Sequence, residues 1–177
     1  MKLERRLHIG GKVRKEGWEV FNIVPSNVVD HVGDARDLSR FPDNTFVELY
    51  ASHVLEHFDY MGEAVCVLKE WKRVLNPGGV IYVSVPNLYT LCSLFVHLEA
   101  LPFEDRFMLM RIIYGGHMDS HDYHKTGYFP ELLSKYLQEA GFKGVMQTEN
   151  FDLFGDNSQL TCYGINLSLN MLAYKPD

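Results

Sequence analysis

The feature that most constrains this fold is a strand–helix–turn–strand succession within residues 43–86. Residues 46–50 are β-favouring apart from one glutamate, and apolar residues then recur at helical spacing through residues 61–75. The turn Asn76-Pro77-Gly78-Gly79 predicts the end of that helix, because proline cannot continue it and glycine permits a tight turn. The mostly apolar run 80–85 predicts a strand buried on both faces of a parallel sheet. The succession therefore predicts one βαβ unit of an open α/β sheet.

The strand ends of this unit predict where a ligand would bind. Ligands of open α/β sheets lie beyond the carboxyl ends of the strands, which here places Ser52, His53 and Asn87 at the site. His53 and His57 are four residues apart and share a face if a helix begins at His53. We expect Ser52 and His53 to contact a cofactor. The alternatives are that His53 and His57 form a metal pair, or that His57 only bonds a backbone group beneath the site. No metal ligand is assigned, because no cysteine or carboxylate falls at a helpful interval nearby.

Composition limits the class of protein and its partners. A length of 177 residues predicts one domain spanning 1–177, and a net charge of −6 disfavours a general nucleic-acid binder, which needs a basic face. No apolar run reaches the length of a membrane span and the N-terminus has no signal-peptide core, so no membrane partner is expected. Cys66, Cys92 and Cys162 are an odd number without C-x-x-C spacing, which predicts free thiols and a cytoplasmic location.

Four short motifs follow one another along the chain. They are GDARDLSRFPDNTF from Gly33, ASHVLEHF from Ala51, LKEWKRVLNPGG from Leu68 and YLQEAGF from Tyr136. In this order and at this spacing the chain resembles the class I S-adenosylmethionine-dependent methyltransferases, specifically the type 11 group. The resemblance covers about residues 3–145 and is strongest over residues 33–86.

The resemblance implies that S-adenosylmethionine is the cofactor. A candidate first strand, residues 3–9, runs into Gly10-Gly11, where the family has a glycine-rich loop that lets the backbone approach the cofactor. Lys12 stands where the last glycine of that loop is expected. Gly10 and Gly11 are therefore predicted cofactor-binding residues.

Three further cofactor-binding positions are carried over from the family. Asn22 takes the place of the carboxylate that holds the ribose hydroxyls, and Asp34 and Ala35 match residues that lie against the adenine. Capping of the following turn is the alternative role for Asp34. Because a carboxylate would make charge-assisted bonds to the ribose, the sequence also predicts that Asn22→Asp tightens cofactor binding.

The N-terminal connections are short for this fold. Only nine residues separate the first candidate strand from the second, 19–23, which is too few for the full helix that normally follows the glycine loop. The linker 24–27 to the third candidate strand, 28–32, is also shorter than the dozen or more residues that a parallel crossover usually takes. Either an extended link returns along the sheet, or these two strands are not parallel neighbours.

The segment 115–125 concentrates histidine and aspartate beside two glycines. Methyl transfer to a hydroxyl or amine needs a nearby base for the acceptor's proton, and histidine titrates in a suitable range. His121 and His124 are therefore the predicted catalytic residues. Structural hydrogen bonding is one alternative, and a metal site that includes His117 is another.

The rest of the chain predicts helices and a closing pair of strands. The predicted helices are 88–100, 103–114 and 129–140, and the predicted strands are 143–149 and 165–173. We interpret the first two helices as core elements, with a substrate-binding wall as the alternative. The long connection 151–163 is expected to pack over a sheet edge or against a second subunit.

Together these features predict a single-domain, three-layer, Rossmann-like α/β fold. Its sheet is expected to be mostly parallel, with a C-terminal antiparallel strand pair, and reduced on the N-terminal side. The resemblance implies methyl transfer from S-adenosylmethionine to a small molecule or glycan. Packing of the connection 151–163 against a second subunit would make the protein a homodimer. One alternative is a degenerate binding or interaction module, which Lys12, Asn22 and the short first loop favour. Another is a metal-dependent hydrolase that uses the histidine segment.

Overall fold

The structure, a computed structural model, describes residues 4–97 and 101–177, apart from the side chain of His97. Its strands are β1 (Arg6–Ile9), β2 (Glu19–Asn22), β3 (His31–Val32), β4 (Phe46–Ser52), β5 (Leu75–Pro86), β6 (Lys143–Thr148), β7 (Thr161–Cys162), β8 (Ile165–Asn166) and β9 (Ser168–Tyr174). Its helices are α1 (Glu63–Val74), α2 (Leu88–His97), α3 (Phe103–Tyr114) and α4 (Pro130–Glu139). Parts of two predicted elements, residue 3 of the first strand and residues 98–100 of a helix, lie outside the described residues.

Seven strands form one sheet in the order β3-β2-β1-β4-β5-β9-β6. The five strands from β3 to β5 are parallel to their neighbours, whereas β9 runs antiparallel to both β5 and β6. This arrangement confirms the predicted fold class, with its mostly parallel sheet and antiparallel C-terminal strand. The remaining strands, β7 and β8, form a separate two-stranded hairpin.

The predicted central unit is present as β4, α1 and β5. The buried positions of α1 recur at helical spacing, and the helix packs with α4 on one face of the sheet. These buried positions are Ala64, Val67, Leu68, Trp71 and Val74. The Pro-Gly-Gly turn lies within the first residues of β5. This start of the strand is irregular, since its register with β4 shifts between Phe46 and Glu48. The pattern at Val54–Phe58 forms only a short 3-10 turn, Leu55–His57.

The short N-terminal connections are extended rather than helical. Residues 10–18 between β1 and β2 contain no helix, nor do residues 23–30 between β2 and β3. The second link returns along the sheet, since the N–H of Asp30 donates to the carbonyl of Val20 (2.9 Å). The Asp30 carboxylate in turn accepts from the N–H of Val20 (2.8 Å). Strands β2 and β3 are therefore parallel neighbours, although β3 is only two residues long.

The second face of the sheet is covered by the segment Phe151–Leu160, hereafter the covering segment. Phe154 packs against His8 of β1 and Tyr50 of β4, with ring centroids 4.1 and 4.7 Å apart. The Tyr50 hydroxyl donates to the Asp156 carboxylate (2.9 Å to Oδ2). Packing over a sheet edge, the first of the two expectations for this connection, is therefore wrong, because the segment lies on a face of the inner strands. Packing against a second subunit stays a prediction.

Helices α2 and α3 form a smaller core beyond the carboxyl end of the sheet, built with the hairpin. Its buried residues are Leu91, Leu94, Leu101, Leu109, Cys162 and Leu167. Leu91 and Leu94 of α2 fit the core interpretation. In α3 only Leu109 is fully buried, so most of this helix is not core. No helix in the described parts of the chain has the length and apolar character of a membrane span.

The covering segment gives His8 a measurable effect on acid stability. Burial lowers the pKa of His8 to about 4, although Asp156 acts in the opposite direction. In the unfolded chain the pKa of His8 is about 6.5, so below this pH the unfolded chain binds a proton that the folded protein does not. The free energy of unfolding therefore falls as pH decreases from about 6.5 to about 4. The loss should be on the order of 3 kcal/mol.

We expect His8→Phe, which keeps a ring between Tyr50 and Phe154 but cannot ionise, to lack this loss. Urea denaturation of both proteins at intervals from pH 7 to pH 4 would measure the difference. Parallel stability curves for the two proteins would show that His8 does not stay neutral in the fold.

Candidate functional site

Two cavities adjoin at the carboxyl ends of the parallel strands. The first, hereafter the glycine cavity, has a volume of about 600 Å³ and is lined by the loops after β1, β2, β3 and β4. The second, hereafter the helix cavity, has a volume of about 670 Å³ and is lined partly by α3. Both are lined by Gly10, Lys12, His53, His57 and Asp122, so these residues form the boundary between them.

The turn after β1 requires glycine at its first position. Gly10 has φ of +75° and donates its N–H to the carbonyl of Phe21 (2.8 Å). A Cβ atom there would collide with Cγ2 of Val54, which follows β4. The backbone of Gly10 therefore lies directly against the end of β4, as a close-approach loop requires.

Asn22, at the end of β2, is buried beside this turn. Its Nδ2 donates to the carbonyl of Gly11 and its Oδ1 accepts from the N–H of Val24, both over 2.9 Å. The side chain therefore holds the glycine turn in place while it lines the glycine cavity.

Asp34 and Ala35 follow β3 and line the same cavity. The N–H of Arg36 donates to Asp34 Oδ1 (2.9 Å), which is the turn-capping contact considered as the alternative role. The guanidinium of Arg36 also contacts this carboxylate and is the main cause of the lowered pKa of Asp34. The carbonyl of Ala35 accepts from Nε1 of the buried Trp71 (2.8 Å), which anchors the segment to α1.

The end of β4 places His53 at the boundary of the cavities and Ser52 in the wall of the helix cavity. His53 has a positive φ of 55°, and its N–H donates to the carbonyl of Ser84 (2.9 Å). Its Nε2 lies 3.0 Å from Ser168 Oγ, and burial lowers its pKa to about 4. Within the described residues the buried Ser52 Oγ has no hydrogen-bond partner. Asn87 lines neither cavity: its Oδ1 accepts from the N–H of Thr90 at the start of α2 (3.4 Å).

The sequence analysis overlooked Glu56, which is fully buried one residue before His57. Its Oε1 lies 3.4 Å from His53 Nδ1 and 3.8 Å from His124 Nε2. Burial raises the pKa of Glu56 to about 8. Its signal in the sequence is a glutamate between His53 and His57, and the expectation that no carboxylate lies at a helpful interval from these histidines is therefore wrong.

The structure separates the two predicted catalytic histidines. His124 is largely buried and lines the helix cavity, where its Nδ1 bonds the carbonyl of Ile112 (2.9 Å). Burial lowers its pKa to about 4, so the imidazole is neutral at physiological pH. His121 is exposed and lines the glycine cavity instead. The helix cavity also contains Phe107 and Arg111 of α3, which gives this helix the wall position considered as an alternative.

Comparison with known proteins agrees with this arrangement. Residues 12–83, less than half of the chain, match the family model described as a methyltransferase domain. A solved S-adenosylmethionine-dependent methyltransferase from Archaeoglobus fulgidus is 19% identical with a TM-score of 0.64, covering 98% of this chain and 87% of that one. No curated protein matches the sequence significantly.

Two other similar structures are longer than this chain. A possible exported protein from Bordetella parapertussis is 12% identical with a TM-score of 0.62, and the match covers 99% of this chain and 64% of that one. A phosphoethanolamine N-methyltransferase from Haemonchus contortus, solved with phosphomonomethylethanolamine and S-adenosylhomocysteine, is 14% identical. Its TM-score is 0.56, and the match covers 100% of this chain and 50% of that one. The family match and the fold together confirm the predicted resemblance to class I S-adenosylmethionine-dependent methyltransferases.

Proposed function

We propose that the protein transfers the methyl group of S-adenosylmethionine to a small molecule or glycan. The observation that carries this proposal is the pair of adjoining cavities, one of them lined by Gly10, Asn22, Asp34 and Ala35, which match cofactor-binding positions of the family. The predicted residue Gly11 lines neither cavity. Transfer requires the two reactants to meet in line at one point, and the shared boundary at Gly10, His53 and His57 offers such a point.

The glycine cavity fits the cofactor in shape and in chemistry. Its volume lies in the usual range for sites of drug-sized ligands, and Gly10 presents bare backbone to it. In this proposal Asn22 meets the ribose, Asp34 and Ala35 meet the adenine, and Ser52 and His53 lie beside the reacting end. The second N–H of Asn22 Nδ2 is the group that would donate to a ribose oxygen.

The helix cavity would hold the methyl acceptor. Its wall combines apolar Phe107 and Met108 with charged Glu104 and Arg111, which suits a polar molecule that also has apolar surface. His124 presents Nε2 there as a proton acceptor, since Nδ1 bonds a carbonyl. His121, on the other cavity, is proposed to close over the bound cofactor instead of acting as the base.

The structure changes the expected effect of Asn22→Asp. An aspartate would lose the Nδ2 donor to Gly11 and place a carboxylate oxygen next to that carbonyl, about 2.9 Å away. The loss of this bond and the repulsion outweigh the roughly 1 kcal/mol gained from a charge-assisted ribose contact. We therefore expect Asn22→Asp to bind S-adenosylmethionine several-fold more weakly than the wild type.

Calorimetry at fixed pH and salt tests both this expectation and the proposed function. Asp34→Ala should weaken cofactor binding about ten-fold through the lost charged contact. Asp37→Ala is the matched control, because Asp37 also accepts an N–H two residues onward, from Ser39 (2.9 Å), but does not line the glycine cavity. Tighter binding by Asn22→Asp would mean that Asn22 is free to hold the ribose alone. If the wild type shows no binding at millimolar S-adenosylmethionine, the binding-module alternative replaces the enzyme.

A further inference from the structure

We propose that Glu56, His57 and His124 bind a divalent first-row transition metal ion, such as zinc, at the boundary of the two cavities. The ion would hold an oxygen of the methyl acceptor. The metal site itself depends only on these side chains, whereas its role with the acceptor rests on the proposed function.

The three side chains converge from two distant parts of the chain. One ligand atom from each residue lies within 4.8 Å of the others. Zinc bonds of about 2.0–2.1 Å to imidazole nitrogen require ligand atoms roughly 3–3.5 Å apart, so modest side-chain rotations would close the set. The backbone keeps the two parts together, because the N–H groups of Lys125 (2.8 Å) and Thr126 (3.1 Å) both donate to the carbonyl of Glu56.

The hydrogen bonds of the two histidines leave the correct nitrogens available. Nδ1 of His57 lies 3.2 Å from the carbonyl of Tyr123, and Nδ1 of His124 lies 2.9 Å from the carbonyl of Ile112. A carbonyl only accepts, so in each ring Nδ1 carries the proton and Nε2 presents a lone pair. Metal-binding histidines are normally oriented in this way by a second hydrogen bond to a carbonyl or carboxylate.

The buried carboxylate of Glu56 is a second, independent indication of a cation. Its side chain is fully buried, and within the described residues neither carboxylate oxygen accepts a hydrogen bond. Buried carboxylates without donors are costly and are normally paired or bound to a metal. The carboxylate therefore has no donor to satisfy it among the described residues, and one nitrogen of each imidazole lies within 4.8 Å of it.

The hydrogen bonds of His53 also favour a cation beside Glu56. Ser168 Oγ donates to the carbonyl of Asn157 (2.7 Å), so it accepts from His53 Nε2, and His53 Nδ1 carries no proton. With Glu56 ionised, as a metal ligand would be, this nitrogen and Glu56 Oε1, 3.4 Å apart, are two acceptors facing each other. A cation beside them would relieve this repulsion.

The donor set indicates which metal. Two imidazole nitrogens and one carboxylate oxygen suit zinc, iron, cobalt or manganese rather than calcium or magnesium, which prefer oxygen ligands throughout. Three protein ligands leave a coordination position open for an oxygen of another molecule. The helix cavity, which His57 and His124 line, is where that molecule would enter.

This placement favours a hydroxyl as the methyl acceptor. In the proposed transfer the hydroxyl loses its proton to solvent water, and the oxygen forms a bond to the methyl carbon as that carbon's bond to sulfur breaks. The products are the methyl ether, S-adenosylhomocysteine and a hydrated proton, with no oxidant or reductant required. With the ion bound, the lone pair of His124 would bind the ion and could not accept the proton. The ion itself would then favour loss of the proton from the hydroxyl.

Cobalt(II) and zinc are suitable probes for the 177-residue chain without a histidine tag. We expect about one equivalent of zinc by equilibrium dialysis, and visible cobalt(II) absorption bands that zinc abolishes. Glu56→Gln and His124→Gln should each weaken zinc binding at least 100-fold, with the fold verified by circular dichroism. The controls are His121→Ala, in the same loop but outside the cluster, and His31→Gln, whose imidazole faces Glu19 elsewhere (2.7 Å). Both should bind as the wild type does.

Two outcomes would overturn the metal site. One is the absence of stoichiometric binding by the wild type, and the other is equal binding by Glu56→Gln and the wild type. Cofactor calorimetry on the same samples keeps the two proposals separate. Zinc binding without S-adenosylmethionine binding would contradict the proposed function alone, whereas the reverse would contradict only the metal site.

Discussion

Replacing Trp71 with alanine should lower the free energy of unfolding by about 3–5 kcal/mol, the usual cost of removing a large side chain from a packed core. Trp71 is fully buried in α1, between the sheet and α4. Its indole N–H also anchors Ala35 of the glycine cavity. The substitution therefore leaves a large void and frees one of the proposed adenine-binding segments. Urea denaturation followed by circular dichroism would measure the loss.

Two further variants separate these contributions. Trp71→Phe keeps an aromatic ring in the core but loses the hydrogen bond to the Ala35 carbonyl. Its free energy of unfolding should therefore fall less than that of Trp71→Ala, whereas its cofactor affinity should still fall. Trp18→Ala is the control for tryptophan removal, since Trp18 is only half-buried against Phe154 and Tyr50. Equal losses of stability for Trp18→Ala and Trp71→Ala would contradict the central position of Trp71.

The second large effect is expected for Gly10→Ala, which should lower stability by about 2–5 kcal/mol and abolish measurable cofactor binding. Part of the cost is the left-handed backbone conformation, about 1–2 kcal/mol for an L-residue. The rest comes from overpacking, because the new methyl group would collide with Val54. Denaturation and calorimetry with S-adenosylmethionine would measure the two effects.

Other glycines provide the controls. At Gly62 (φ +106°) an added Cβ would meet no atom within 4 Å, so Gly62→Ala should show the backbone cost alone. Gly155→Ala has neither a positive φ nor a nearby atom and should be close to neutral. Adding Val54→Ala to Gly10→Ala should recover part of the stability. If the double variant is no more stable than Gly10→Ala, the collision with Val54 is not the cause.

The centre of the fold could be predicted because its signals are local. The periodicity of α1 and the Pro-Gly-Gly turn each depend on residues close in sequence, and β4, α1 and β5 formed close to where they were expected. The N-terminal strands were harder, because short links leave several pairings possible. Only contacts across the sheet, such as that between Asp30 and Val20, decide between them.

The candidate site could be predicted only in part, for the same reason. Each cofactor-side position follows a strand, and the resemblance therefore located Gly10, Asn22 and Asp34 around one cavity. The approach of His124 to Glu56 joins residues 68 positions apart, and no pattern along the chain reports it. The separation of His121 from His124 has the same origin, since residues 118–123 all line the glycine cavity whereas His124 lines the helix cavity.

The covering segment has a consequence for the order in which the protein can fold. Tyr50 and Asp156, which it brings together, are 106 positions apart in the chain. Contacts of such separation form late, because a long loop must close first. During synthesis the aromatic face of β1 and β4 therefore stays open to water, and to other chains, until the ribosome has released the segment. Such exposed aromatic surface favours aggregation of the nascent chain during this interval.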